Sequence, residues 1–306
     1  MTTKLSADLF FTPSLRAKLG RYTLFLAIGS FLVHLGLYGF YHYVLGEDTV
    51  GLLSDPINAI YTPFSFLLVY EAYLLLYYLQ HSTTIYVGKQ YEIIVLILIR
   101  GVFKDMTHLD LRSGSWSSAN NLELWYDLAT VMALFALILV FYRVSGRQGF
   151  GAAPPTESNQ RDAKMQRFIL AKKNLSAVLF FAALGLGIYS FGDWLYGLRA
   201  AGDLVATPNV NAIFFDHFFT LLILGDVLIL LFSLFYTDDF PIIIRNSSFV
   251  ISTILLKLSF GAESGIAQVF IIVGVGFGVA MSAITLRYQR RVERREWKVE
   301  NQHVEA

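Results

Sequence analysis

Eight stretches of this chain are apolar for long enough to cross a membrane, and nothing else in the sequence constrains the fold as much. They run over about 22–45, 57–80, 84–104, 123–143, 174–198, 209–236, 241–260 and 265–286. A helix needs about 20 mostly apolar residues to span the hydrocarbon core. A spanning segment must also satisfy its own backbone hydrogen bonds, which a helix does alone. The expected fold class is therefore all-α: a polytopic integral membrane protein with eight transmembrane helices. Charged residues make up 15% of the 306 residues, against roughly 25% in an average soluble domain.

Two of the eight stretches are poor by hydropathy. The third carries Lys89, Glu92 and Arg100, and the seventh carries Arg245, Asn246, Ser247, Ser248, Ser252, Thr253 and Lys257. Polar spanning helices are hidden from lipid by their neighbours, so both are expected inside the bundle. A re-entrant or six-span arrangement is the competing reading.

Loop charge orients the chain. With the N-terminus inside, the inner segments hold nineteen lysines and arginines, and the outer ones hold Lys104, Arg112 and Arg199. This asymmetry predicts cytoplasmic N- and C-termini in a bacterial inner or plasma membrane. The first residues, with Leu9, Phe10, Phe11, Leu15 and Leu19 against Arg16, Lys18 and Arg21, read as an amphipathic helix on the membrane surface. They lack the short apolar core and cleavage site of a secretory signal. The tail RYQRRVERREWKVENQ continues the last helix as a basic stub able to contact anionic lipid.

Residues 147–164, rich in Gly, Pro and Ser, read as a flexible linker between four spans and four spans. The expected division is a first unit over 1–146, a cytoplasmic linker over 147–172 and a second unit over 173–306. Shifting the chain by 157 residues lays Arg100 on Lys257 and Phe103 on Phe260. Each half has the same order: a helix with a central acid, a polar turn, then a helix with a late cation. Glu71 precedes Arg100 by 29 residues and Asp226 precedes Lys257 by 31. Four spans per unit would make the duplication parallel, about an axis along the membrane normal.

Charges at membrane depth are costly and mark functional sites by default. The candidate network is Glu71, Arg100, Asp193, Asp216, Asp226 and Lys257. Counting 1.5 Å per residue separates Glu71 from Arg100 by roughly 9 Å along the axis, within reach of a long side chain. The same counting puts Asp193 and Asp216 level with Lys257 and leaves Asp226 without an evident cation. His34 and His217 are candidate proton relays, because an imidazole changes charge most easily near neutral pH. Tyr70 and Tyr73 flank Glu71 and are candidate hydrogen-bond partners for it. Pro63 is expected to kink the second helix, and Gly274, Gly278 and Ser282 form a close-packing stripe on the last.

No cysteine is present, and no metal, nucleophile or phosphate-loop motif appears, so neither cofactor nor metal is expected. A four-helix unit with an acid on its second helix resembles a voltage sensor in outline. It lacks the row of arginines on the fourth helix, and no family follows. The leading expectation is an ion or small-solute conductor, channel or secondary transporter, with protons or monovalent cations favoured. The alternative is a non-transporting sensor or scaffold whose charge pairs fix helix packing. An intramembrane enzyme acting on lipid through acids such as Asp193 and Asp216 is a third reading. The bilayer is the expected partner, nucleic acid is not, and homo-oligomer formation is left open.

Overall fold

The computed structural model describes residues 10–45, 56–106, 119–146, 163–201, 210–236, 240–262 and 265–304, and every element among them is helical. In chain order these are α1 (Pro13–Gly39), α2 (Tyr61–Leu79), α3 (Thr83–Met106), α4 (Ala119–Val144), α5 (Ala163–Ala201), α6 (Val210–Tyr236), α7 (Phe240–Phe260) and α8 (Ile266–Val304). A π-helical turn, Phe40–Leu45, extends α1, and a 3-10 turn, Pro56–Ile60, leads into α2.

Seven of these helices are long and apolar enough to cross a membrane. The exception is α3, whose 24 residues are long enough but carry charge. Its buried face holds Tyr86, Val87, Gln90, Tyr91 and Ile94. Lys89 and Glu92 neutralise one another at 2.6 Å, and the Tyr142 hydroxyl donates to Glu92. The polar side of α7 is likewise turned inward. Asn246, Ser248, Ser252, Thr253 and Ser259 are buried, while Ile251, Ile254 and Leu258 are exposed.

Neighbours in sequence pack on one another within each half, and α4 against α8 and α2 against α5 join the halves. Arg16 donates to the Tyr78 hydroxyl, and Lys172 donates to the His81 carbonyl. These contacts bring the starts of α1 and α5 to the end of α2. That end of the bundle, where the linker departs, is called the linker end below. The α7–α8 contact is the most extensive. Ser252 Oγ donates to the Gly274 carbonyl at 2.7 Å, and a Cβ at Gly274 would stand 3.2 Å from the Ser252 carbonyl. At Gly278 a Cβ would stand 2.0 Å from the Tyr91 hydroxyl oxygen, so the stripe on α8 serves close packing.

Three local expectations change. Residues 13–21 do not form a separate surface helix; they are the opening turns of α1, capped by Thr12, whose Oγ1 accepts from the Leu15 N–H at 3.2 Å. Phe11 is buried in the core and Phe10 packs on Phe180, because two adjacent aromatics gain more from the bundle than from an interface. Residues 1–9 lie outside the described part. Pro63 falls in the first turn of α2, where a missing N–H costs little, so it sits at the 3-10 to α transition and not at a mid-helix kink. Finally, α5 begins at Ala163, inside the segment read as linker.

Candidate functional site

The first half brings its two charges together. Arg100 Nη2 on α3 donates to Glu71 Oε2 on α2 at 2.8 Å. The same guanidinium donates to the Phe64 carbonyl at 3.3 Å and, through Nε, to the Leu96 carbonyl at 3.4 Å. The extended arginine side chain spans the axial offset expected from residue counting. Both side chains are about one-tenth exposed, and removing one partner from such a pair leaves the other charge uncompensated.

Tyr70 and Tyr73 do not bond Glu71. Their hydroxyls donate to the Arg16 and Phe10 carbonyls at 3.3 and 3.0 Å. One helical position is 100° around the axis from the next, so the face of α2 bearing these rings meets the N-terminal segment while Glu71 meets α3. His34 pairs with Thr62 Oγ1 at 2.6 Å, tying α1 to α2.

The second half is built differently. Asp226 on α6 is buried, and its Oδ2 accepts from Gln90 Nε2 of α3 at 3.2 Å. Thr253 of α7 donates to Gln90 Oε1 at 3.2 Å and to the Phe249 carbonyl at 3.0 Å. The Tyr86 hydroxyl of α3 also faces Asp226. Lys172, on α5, is 2% exposed and lies near enough to Asp226 to act on it electrostatically. Asp226 makes no ion pair among the described residues. Lys257 donates to Thr220 Oγ1. The acid therefore sits among an amide, hydroxyls and a more distant ammonium, contributed by three other helices.

Two small cavities flank this cluster along α7. One is lined by Thr83, Tyr86, Asp226, Asn246 and Thr253, towards the linker end. The other is lined by Gln90, Phe219, Thr253, Lys257 and Phe260, towards the opposite end. Each has room for about one water molecule. Thr253 lines both.

Asp193 and Asp216 fall on α5 and α6, and their side chains lie outside the described part, so their expected level with Lys257 is not described. His217 is exposed. Sequence reading singled out neither Gln90, Tyr86 nor Lys172 as site residues. A signal was present for the first two: Tyr86 and Gln90 are four apart and share a face on a helix expected to be interior. Lys172 was hidden among the loop bases, because a lysine at the edge of a span reads as a topology signal. Asp127 was missed as well. It is buried on α4 and accepts from Gln268 Nε2 of α8 at 2.5 Å, while Gln268 Oε1 caps the Gly265 N–H. Gly265 has φ of +89°, which favours glycine, so this acid fastens the start of α8 to α4.

No known family, curated protein or solved structure matches the chain.

Proposed function

We propose that this chain is a membrane conductor of protons or monovalent cations, acting as a channel or secondary transporter, with Asp226 as its central binding acid. In this reading eight helices cross the bilayer as two parallel units of four, with both termini cytoplasmic. The excess of basic residues on one side supports that orientation. The matching order of helix contacts within the two halves, and the contact between their last helices α4 and α8, support the duplication; among the described residues the α2–α5 contact has no counterpart of similar extent between α6 and α1.

The observation that carries the proposal is the setting of Asp226. It is buried, held by a neutral amide, and placed between two water-sized cavities in line along α7. Intramembrane acids of this kind mark ion and proton pathways. An acid so held can bind and release a cation without stripping a partner arginine. The cavities are too small for an organic solute, which favours the smallest cargo. The Glu71–Arg100 pair favours the scaffold role for the first half alone, with charge fixing α2 against α3.

The test is flux by the purified chain in proteoliposomes under an imposed potential. The expected result is cation-dependent flux that falls at least about tenfold in Asp226→Asn. Wild-type flux at the level of empty vesicles, or an Asp226→Asn rate equal to wild type, would remove the proposal.

A further inference from the structure

We infer that Gln90 and Thr253 form a two-state hydrogen-bond switch, set by a proton on Asp226, in the partition between the two cavities. The inference rests on the conductor reading for its purpose and makes the proton the species that Asp226 answers to. Its support is a hydroxyl with more acceptors than it has hydrogens. Thr253 Oγ1 lies 3.2 Å from Gln90 Oε1 and 3.0 Å from the Phe249 carbonyl, in donor geometry to both. A threonine carries one O–H, so one full bond is made at a time. The bond to Phe249, four residues back, is the ordinary resting place of a helical threonine. The bond to Gln90 is not local, and it joins Thr253 to the amide that holds Asp226. Gln90 and Thr253 line the second cavity, whereas Asp226 lines the linker-side one. The pair thus stands between the acid and the second cavity.

The charge on Asp226 chooses between the two bonds. With the carboxylate charged, Gln90 Nε2 donates to Asp226 Oδ2 at 3.2 Å, and Gln90 Oε1 accepts from Thr253. A protonated acid carries a donor of its own, so the amide turns over. Asp226 then donates to Gln90 Oε1, Gln90 Nε2 donates to Thr253 Oγ1, and the Thr253 hydrogen moves to the Phe249 carbonyl. Each arrangement gives all three side chains a partner, as buried polar groups require. The Tyr86 hydroxyl, which also faces Asp226, can donate to the acid in either state. The other charged groups nearby are Lys172 on α5 and Lys257 in the second cavity. The proton is supplied from the linker side. Asn246 Oδ1 is buried there without a hydrogen-bond partner among the described residues and lines the cavity beside Asp226, so a water has two acceptors to hold it. A hydronium at that place gives its proton to the carboxylate and is left as water, with no change of oxidation state.

The experiment is infrared difference spectroscopy of the full purified chain in vesicles, recorded as pH is lowered without an ion gradient. The expected result is a carboxylic-acid carbonyl band that is lost in Asp226→Asn, together with a shifted glutamine carbonyl band that is lost in Gln90→Met. Thr253→Val should abolish the glutamine shift, and Thr253→Ser should keep it. In proteoliposomes Thr253→Val should lower flux at least about tenfold, one buried hydrogen bond left unmade, while Thr253→Ser should stay within about twofold of wild type. A role in packing alone would make serine, which lacks the methyl group, the worse of the two. The wild-type and Asp226→Asn spectra stand even if Thr253→Val does not fold. An Asp226 band without a glutamine shift, no Asp226 band at any pH the chain withstands, or the same shift produced by sodium or potassium at constant pH overturns the inference and leaves the conductor reading intact. A glutamine shift in a chain without flux removes the conductor reading alone.

Discussion

The two halves place an acid and a cation at matching sequence positions and then use them in opposite ways. In the first, Arg100 closes on Glu71 at 2.8 Å and gives two further donors to backbone carbonyls. In the second, Lys257 turns to Thr220, and Asp226 is met by Gln90 from the other half. The difference lies in the partner's reach and in which neighbouring helix supplies the hydrogen bond. A guanidinium with several donors can bind an acid and a helix backbone together. Once α3 presents Gln90 to Asp226, the second acid is satisfied across the interface between halves. Matching positions hold a clamp in one half and, in the other, a buried acid held by a neutral amide.

The largest expected effect strikes the clamp. Arg100→Met should destabilise the protein by about 3–5 kcal/mol, because it strands a buried carboxylate. The Glu71→Gln, Arg100→Met double variant should recover most of that loss. Equilibrium unfolding in mild detergent measures both, and equal losses in the single and double variants would break the contrast. Asp226→Asn should do the reverse: a large loss of flux with a stability change under about 1 kcal/mol, since the amide keeps a hydrogen-bonding partner in Gln90. A Glu71→Gln variant that loses flux but not stability would make the two acids alike.

Smaller effects test how the halves are locked together. Gly278→Ala should cost about 1–3 kcal/mol by forcing Tyr91 aside. In a Tyr91→Phe background the clashing oxygen is gone and that cost should shrink. Tyr91→Phe alone should cost about 1 kcal/mol, the bond to Ser252. Equal Gly278→Ala losses in both backgrounds would mean that Tyr91 does not set the α3–α8 distance.

The helices were largely legible because length and apolarity suffice to define them. The interior placement of α3 and α7 followed from Lys89, Glu92 and Arg100 on the one and Asn246, Ser252 and Thr253 on the other, all poorly tolerated in lipid. The Glu71–Arg100 pair was legible in spacing, though counting residues along an axis gives no rotation about it. Rotation is what misdirected Tyr70 and Tyr73 towards Glu71, and it depends on neighbours that one helix does not encode. Gln90 escaped notice for a related reason. Its importance comes from Asp226, 136 residues away, and no local pattern links the two. Lys172 shows the limit of topology rules: a base at the rim counts as a loop charge whether it faces water or is buried against a helix end.

The last helix has one further property. Its apolar span ends near Gln289, yet the same unbroken helix continues to Val304, some 22 Å further at 1.5 Å per residue. A rod of that length is a lever. A tilt of α8 by about 5° moves its tip by roughly 2 Å, so rearrangement around Gly274 and Gly278 would be written as motion outside the bilayer. Anything that grips the tail would in turn apply torque to the helix that packs most extensively on α7.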